Sequence, residues 1–115
     1  MPTSDRSIKC GDVVVVPFPY SDKLAEKRRP ALVASSDKFN KASGYLWVVM
    51  ITSKPTNPSP DDVLFNHSKV GLSKPSVVRV SKIATIEAER VIRVVGRMEK
   101  RFMASVHKHA KQILG

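Results

Sequence analysis

The sequence predicts a mainly β protein, a small barrel of short strands with one C-terminal α-helix packed on it. Short β-branched, apolar segments alternate with polar, proline-rich loops between residues 13 and 95, a spacing typical of small barrels. From Glu99 onward the apolar residues recur with a helical period. The 115 residues, 42% of them hydrophobic, are enough for a single domain (1–115) with a modest core, but not for two.

Seven strands are predicted, over residues 13–18, 30–35, 45–52, 63–66, 76–80, 83–86 and 91–95. Residues 45–52 are apolar at both alternating positions, which indicates a strand buried on both faces at the centre of the sheet, with Trp47 in the core or in a dimer interface. Residues 37–44 are predicted to form a turn, the proline-rich residues 53–62 an exposed loop, and residues 1–9 a flexible terminus. The predicted helix covers residues 99–114, with one apolar stripe formed by Phe102, Met103, Val106, Ala110, Ile113 and Leu114.

The charge of the chain predicts a polyanionic partner. Lys and Arg outnumber Asp and Glu by 20 to 10, which gives a formal net charge of +10 and a sequence pI near 10.1. The positive residues are dispersed over the whole chain rather than gathered on one amphipathic segment. This distribution favours nucleic acid or an acidic protein over a membrane surface.

Neither a metal nor a cofactor is expected. Cys10 is the only cysteine, so an intrachain disulfide is impossible, and the chain has only three histidines. His107 and His109 are two residues apart and would point to different sides of a helix, so they cannot share a metal ion. The N-terminus lacks the apolar core of a signal peptide and the apolar runs are short, so we expect a cytoplasmic protein.

One stretch, from Gly11 to Ser36, combines a Gly-Asp start, a four-valine strand, a basic loop and an Arg-Arg-Pro that opens a second strand. This order resembles the toxins of the PemK/MazF family of toxin–antitoxin systems. Further similarity is found at residues 51–53 (Ile-Thr-Ser) and in GLSKPSVVRVSKIATIEAERVIRVVGRM, residues 71–98. The resemblance implies a CcdB/PemK-type, SH3-like barrel that acts as a homodimer. It also implies a metal-independent, sequence-selective endoribonuclease that cuts single-stranded RNA and is neutralised by an acidic antitoxin.

The chemistry available to the chain agrees with RNA cleavage. The sequence has no Walker loop, paired-carboxylate motif, metal-ligand cluster or nucleophile-elbow serine, which disfavours most other enzyme classes. Attack of a ribose 2′-hydroxyl on its neighbouring phosphate needs neither a protein nucleophile nor a metal. It needs donors around a phosphorane that gains negative charge, and an arginine fork matches two phosphate oxygens at any working pH.

The resemblance assigns the main catalytic roles to Arg29 and Thr52. Arg29 matches the arginine of the family's Arg-Pro motif, and Pro30 holds it in extended backbone at the mouth of the strand. Thr52 matches the threonine at the end of the third strand. Ser53 is a further candidate, but adjacent strand residues point to opposite faces, so only one of the two hydroxyls is expected beside Arg29 if the strand continues.

The proton-transfer partner departs from the family pattern. Many relatives carry a glutamate five residues before the arginine, where this chain has Leu24, and Glu26 lies three residues before it. Glu26 is the candidate, with His67, substrate contacts or no dedicated base as the alternatives. The predicted RNA contacts are Lys27, Arg28, Lys82 and, through base stacking, Tyr20.

Two other functions stay open at this stage. The first is a CcdB-like toxin without nuclease activity that binds a protein target such as DNA gyrase. The second is a degenerate family member that binds RNA without cutting it, which the leucine at position 24 favours.

Overall fold

The computed structural model describes residues 7–18, 27–55 and 57–115. One antiparallel sheet runs through it with the strands in the order β4-β5-β3-β2-β1-β6. The sheet is roughly barrel-like but, within the described residues, it is not closed, and β4 and β6 form its edges. The predicted fold class is confirmed. The elements are β1 (Asp12–Phe18), β2 (Lys27–Val33), α1 (Asp37–Ser43), β3 (Tyr45–Ser53), β4 (Asp62–Leu64), β5 (Ser76–Glu87), β6 (Arg93–Arg97) and α2 (Lys100–Leu114), with short 3₁₀ helices at His67–Val70 and Ala88–Arg90.

The described residues form six strands rather than the predicted seven. The segments 76–80 and 83–86 belong to one long strand, β5, which pairs with the whole of β3. The register shifts where Val49 pairs with Ile83 and Met50 with Arg79, so residues 80–82 bulge out of the ladder. The polar pair Ser81-Lys82 therefore marks a bulge inside a strand and not a turn between two strands.

A second correction concerns residues 37–44, which were predicted to form a turn. Asp37–Ser43 instead form the short helix α1. The Ser36 hydroxyl accepts a hydrogen bond from the Phe39 N–H at 3.1 Å, as expected of an N-cap residue. Gly44 ends the helix with a φ of +76°, in the left-handed region that glycine tolerates. A serine followed by Asp37 was a readable helix start that the turn prediction overlooked.

Apolar side chains fill both faces of the sheet, because alternate residues of the central strands point to opposite sides. One cluster includes Leu32, Val49 and Ile51, and α2 covers it with Met103 and Val106. The other cluster lies on the opposite face, and its buried members are Val14, Val16, Ala31, Val33, Leu46, Val48, Ile86 and Val91. β3 contributes to both clusters, so its predicted place at the centre of the sheet is confirmed.

Two apolar regions are more exposed than their sequence pattern predicted. Trp47 is 44% exposed, and its ring meets that of Phe39 edge-on with 6.1 Å between the centroids. Trp47 is therefore not in the core of the chain, and its other predicted place, a dimer interface, stays a prediction. The apolar stripe of α2 is buried in its first turns but exposed at Ile113 and Leu114. These side chains line an open apolar groove between the C-terminal end of α2 and the bulge of β5. Neither α1 nor α2, the α-helices among the described residues, is long and apolar enough to span a membrane.

Candidate active site

Arg29 and Thr52 come together because β2 and β3 are neighbours in the sheet. The ladder between these strands ends at the pair Ala31–Met50. If the same register is carried two residues further, Arg29 lies opposite Thr52, and alternation puts both side chains on one face. Strand pairing therefore brings together two residues that are 23 positions apart in the sequence, and these are the two to which the resemblance assigns the main catalytic roles.

A cavity of about 210 Å³ lies at this end of the sheet, where β2 begins and β3 ends. Three separate segments build its wall: the Arg-Pro of β2, the last residues of β3 and the loop that leads into β5. The lining residues are Arg29, Pro30, Ile51, Thr52, Ser53, Leu72, Ser73, Lys74 and Ser76.

The loop before β5 is fixed against the end of β3 by backbone contacts. Ser53 pairs with Ser76 at the end of the β3–β5 ladder, and the Lys54 N–H donates to the Pro75 carbonyl at 3.0 Å. The Ser76 hydroxyl donates to the Lys74 carbonyl at 2.9 Å. Gly71 starts the loop with a φ of +85°, a conformation that disfavours residues with a Cβ. These contacts hold the lysine–proline step of the loop beside the pocket.

The cavity has the chemistry of an anion site. Its described lining includes two basic residues, Arg29 and Lys74, and four residues with hydroxyl groups, but no acidic residue. Arg29 is half-buried and forms no ion pair with a described carboxylate, whereas Arg79 and Arg97 are paired with Asp62 and Asp12 at 2.8 Å. A guanidinium beside hydroxyl donors can bind two oxygens of a phosphate group.

Thr52 and Ser53 both line the cavity, although strand alternation predicted that only one of them would. Thr52 is half-buried and Ser53 is exposed. The difference arises because β3 ends at Ser53, so the pocket lies across the end of the strand and is open to both of its faces.

Of the other predicted residues, those that the structure describes do not line this cavity. Lys27 and Arg28 are exposed at the start of β2 and directly precede the pocket residue Arg29 in the sequence. Lys82 lies in the bulge of β5, six residues beyond the pocket residue Ser76. His67 opens the 3₁₀ helix before the loop. Glu26 and Tyr20, like Leu24, lie outside the described residues.

Sequence reasoning missed Ser73, Lys74 and Ser76 as pocket residues. The readable signal was the dipeptide Lys74-Pro75, which repeats the cation–proline pattern of Arg29-Pro30 in a segment already similar to the family. In the part of the chain that the structure describes, no three His, Cys, Asp or Glu side chains lie close enough to hold a metal ion. His107 instead places its Nε2 at 2.9 Å from the Ala34 carbonyl, and His109 Nδ1 lies 3.6 Å from Asp61.

Solved structures of two known proteins match this fold over nearly the whole chain. The MazF toxin of Deinococcus radiodurans superposes with a TM-score of 0.79 at 23% identity, covering 96% of this chain and 99% of the other. An endoribonuclease in complex with its cognate antitoxin, from a mycobacterial species, superposes with a TM-score of 0.76 at 18% identity, covering 94% and 95%. These likenesses establish the fold.

The sequence comparisons establish the family. The chain is 29% identical over 98 residues to the endoribonuclease MazF9 of Mycobacterium tuberculosis, covering 81% of this chain and 83% of that protein. The family model described as the PemK-like, MazF-like toxin of type II toxin–antitoxin systems matches residues 9–114. Because that match spans nearly the whole chain, the protein belongs to the PemK-like, MazF-like family of toxins of type II toxin–antitoxin systems.

Proposed function

We propose that the protein is a sequence-selective endoribonuclease toxin that cleaves single-stranded RNA, mRNA above all, in the cytoplasm. The observation that carries this proposal is the cavity in which Arg29, Thr52 and Lys74 converge. Its positive charge and hydroxyl donors suit a phosphodiester, and the relative MazF9 is named an endoribonuclease.

The proposed reaction is an internal transesterification. The ribose 2′-oxygen forms a bond to the adjacent phosphorus while the bond from phosphorus to the 5′-oxygen breaks. The proton of the 2′-hydroxyl passes to a base, for which Glu26 is our candidate, and a proton reaches the departing 5′-oxygen. The products are a 2′,3′-cyclic phosphate, or the 3′-phosphate formed from it, and a 5′-hydroxyl end.

Within this reaction Arg29 donates to the non-bridging oxygens as they gain charge, and the Thr52 hydroxyl donates to one of them or orients the attacking group. Donors that are fixed before the reaction stabilise the transition state most. Arg29 meets this condition because Pro30 restricts its backbone and its side chain is half-buried. The mechanism needs no metal or other cofactor.

The experiment that tests the proposal uses purified protein, a labelled mixed-sequence RNA and EDTA. We expect cleavage that survives chelation, with 2′,3′-cyclic phosphate and 5′-hydroxyl ends, and no cleavage of the same oligonucleotide carrying 2′-O-methyl groups throughout. Binding without cleavage would favour the degenerate RNA-binding alternative. A protein that neither binds nor cleaves the RNA would favour the CcdB-like protein-target alternative.

We further propose that an acidic antitoxin neutralises the toxin by covering this pocket. The net charge of +10 supports an acidic partner, and one structural relative is an endoribonuclease in complex with its cognate antitoxin. Lys27 and Arg28 are exposed beside Arg29 and should contact both RNA and antitoxin. The double variant Lys27→Glu with Arg28→Glu should weaken both complexes, whereas RNA binding that survives saturating antitoxin would contradict neutralisation by occlusion.

The dimer implied by the family resemblance is also a proposal. The apolar groove of about 500 Å³ beside α2 exposes Trp47, Ile83, Ile113 and Leu114, and such patches mark interaction surfaces. We assign this groove to a second copy of the chain. Light scattering should give a dimer for the wild type and a monomer for Ile113→Lys, and a wild-type monomer at micromolar concentration would refute the assignment.

A further inference from the structure

The tripeptide Ser-Lys-Pro occurs twice in the chain, at residues 53–55 and 73–75. The two copies are opposite each other in the fold, at the end of the β3–β5 ladder where Ser53 pairs with Ser76. The Lys54 N–H donates to the carbonyl of Pro75 at 3.0 Å, which ties one copy directly to the other. The register puts Lys54 opposite Pro75, one residue from Lys74. Lys74 lines the Arg29 cavity and Lys54 directly follows the lining residue Ser53, so two lysines from distant parts of the sequence lie at this end of the sheet.

Both lysines have a restricted backbone and a side chain that an anion can reach. Each precedes a proline, which keeps its backbone extended, and the Ser76 hydroxyl further fixes the Lys74 carbonyl. Lys54 and Lys74 are exposed, and neither forms an ion pair with a described carboxylate.

We propose that Lys54 and Lys74 form a phosphate-binding rim that holds the RNA backbone beside the scissile phosphate. This inference rests on the proposed nuclease function and adds residues to the same site. A lysine ammonium is a hydrated point charge on a flexible stem, which suits a phosphate that does not change during the reaction. Arg29 is half-buried and its backbone is restricted by Pro30, so it suits the phosphate that reacts. The rim therefore acts on RNA binding and leaves the chemical step to Arg29.

The test compares the double variant Lys54→Met/Lys74→Met with a matched control, Lys38→Met/Lys41→Met. The control removes two exposed lysines from α1, which adjoins the start of β3. Tyr45 and Thr52 are seven residues apart on β3, so this end of the strand is roughly 23 Å from the pocket. Both variants thus carry the same charge change, and methionine keeps most of the side-chain stem.

Binding is measured by fluorescence anisotropy with a fluorescein-labelled, fully 2′-O-methylated 12-nucleotide RNA of mixed sequence, between 0.1 and 1 M salt. Loss of two phosphate contacts should reduce the log–log salt slope by about 1.4, since each contact on a single strand contributes about 0.7. This corresponds to affinity about 25-fold weaker at 0.1 M salt, converging with the wild type near 1 M. Cleavage of an unmodified mixed-sequence transcript should show a raised KM with kcat within about twofold, and Lys54→Arg/Lys74→Arg should restore the slope.

The outcomes separate this inference from the proposed function. If the wild type cleaves RNA and the rim variant matches the α1 control in salt slope and KM, the proposed phosphate-binding role of the lysines is wrong, while the proposed nuclease function is unaffected. A rim variant whose kcat falls about as far as that of Arg29→Ala would also overturn it, because the lysines would then act in the chemical step. If the wild type neither binds nor cleaves RNA, the proposed function fails and the rim fails with it.

Discussion

Arg29 and Arg28 offer an internally matched test of the active site. They are adjacent on β2, carry the same charge and point to opposite faces of the strand. Replacing either with alanine changes the net charge by one and removes a similar side chain. Only Arg29→Ala removes a guanidinium from the cavity that holds Thr52.

The magnitude follows from the position of Arg29. One fixed, charge-stabilising donor is worth about 10²–10³ in kcat. We therefore expect Arg29→Ala to lower kcat by about 10²-fold, and Arg28→Ala to raise KM with kcat within about twofold. Arg29 forms no ion pair with a described carboxylate, so the free energy of unfolding should change by less than about 0.5 kcal/mol.

The assay is the initial rate of cleavage of a fluorophore–quencher RNA in EDTA, over a range of substrate concentrations, with urea unfolding of each variant as the control for folding. Equal losses of kcat in both variants would mean that the general positive field, and not one oriented donor, drives catalysis. Wild-type kcat in a folded Arg29→Ala protein would refute the site itself.

Three further substitutions test the site and the fold. Thr52→Val keeps the shape of the side chain but removes the hydroxyl, so kcat in the same assay should fall about 10-fold, less than for Arg29→Ala. Arg79 donates to Asp62 at 2.9 and 2.8 Å and holds the pKa of that carboxyl below its ordinary value. The pair therefore stabilises the folded protein above about pH 4, and this stabilisation is lost as the pH falls through the lowered pKa. Asp62→Asn should lower the free energy of unfolding in urea by about 3 kcal/mol at pH 7, and the difference from the wild type should shrink in acid; a constant difference down to pH 2 would contradict the pairing. A Cβ at Gly96 would clash with the carbonyl oxygen of Val70, so Gly96→Ala should lower the free energy of unfolding in urea by about 1–3 kcal/mol. An unchanged value would mean that the 3₁₀ helix His67–Val70 moves freely to accommodate the methyl group.

The fold was predictable to the extent that it depends on local alternation. β-branched, apolar segments identified where the strands lie, although β5 was predicted as two strands, and the helical period identified α2. The errors arose where a local pattern has more than one structural meaning. Ser81-Lys82 interrupts an apolar run as a turn would, but pairing with β3 continues on both sides of it and the extra residues bulge out. Trp47 has a core-like sequence context, yet its burial depends on how far the neighbouring elements extend.

The site was predictable only in part, for a related reason. Arg29 and Thr52 were identified through the family resemblance, and neighbouring strands bring them together. The contribution of Lys74 depends on the pairing of Ser53 with Ser76, which joins residues 23 positions apart. Nothing local to the loop specifies that register, because it is set by the apolar residues of β3 and β5 that must share a face.

The fold separates the cations that stabilise it from the cations that face the pocket. Arg97 and Arg79 each pair with an aspartate at 2.8 Å, one joining β6 to β1 and the other joining β5 to β4. These two pairs engage Asp12 and Asp62, and neither pair involves a residue that lines the pocket. A chain with a net charge of +10 also presents a positive field to a polyanion. A field of this kind speeds the capture of a polyanion and weakens with salt, whereas a donor fixed inside a half-buried cavity is screened much less. The rate of RNA capture should therefore fall steeply with ionic strength while kcat changes little. The cations without described carboxylate partners around the pocket are Lys27, Arg28, Arg29, Lys54 and Lys74.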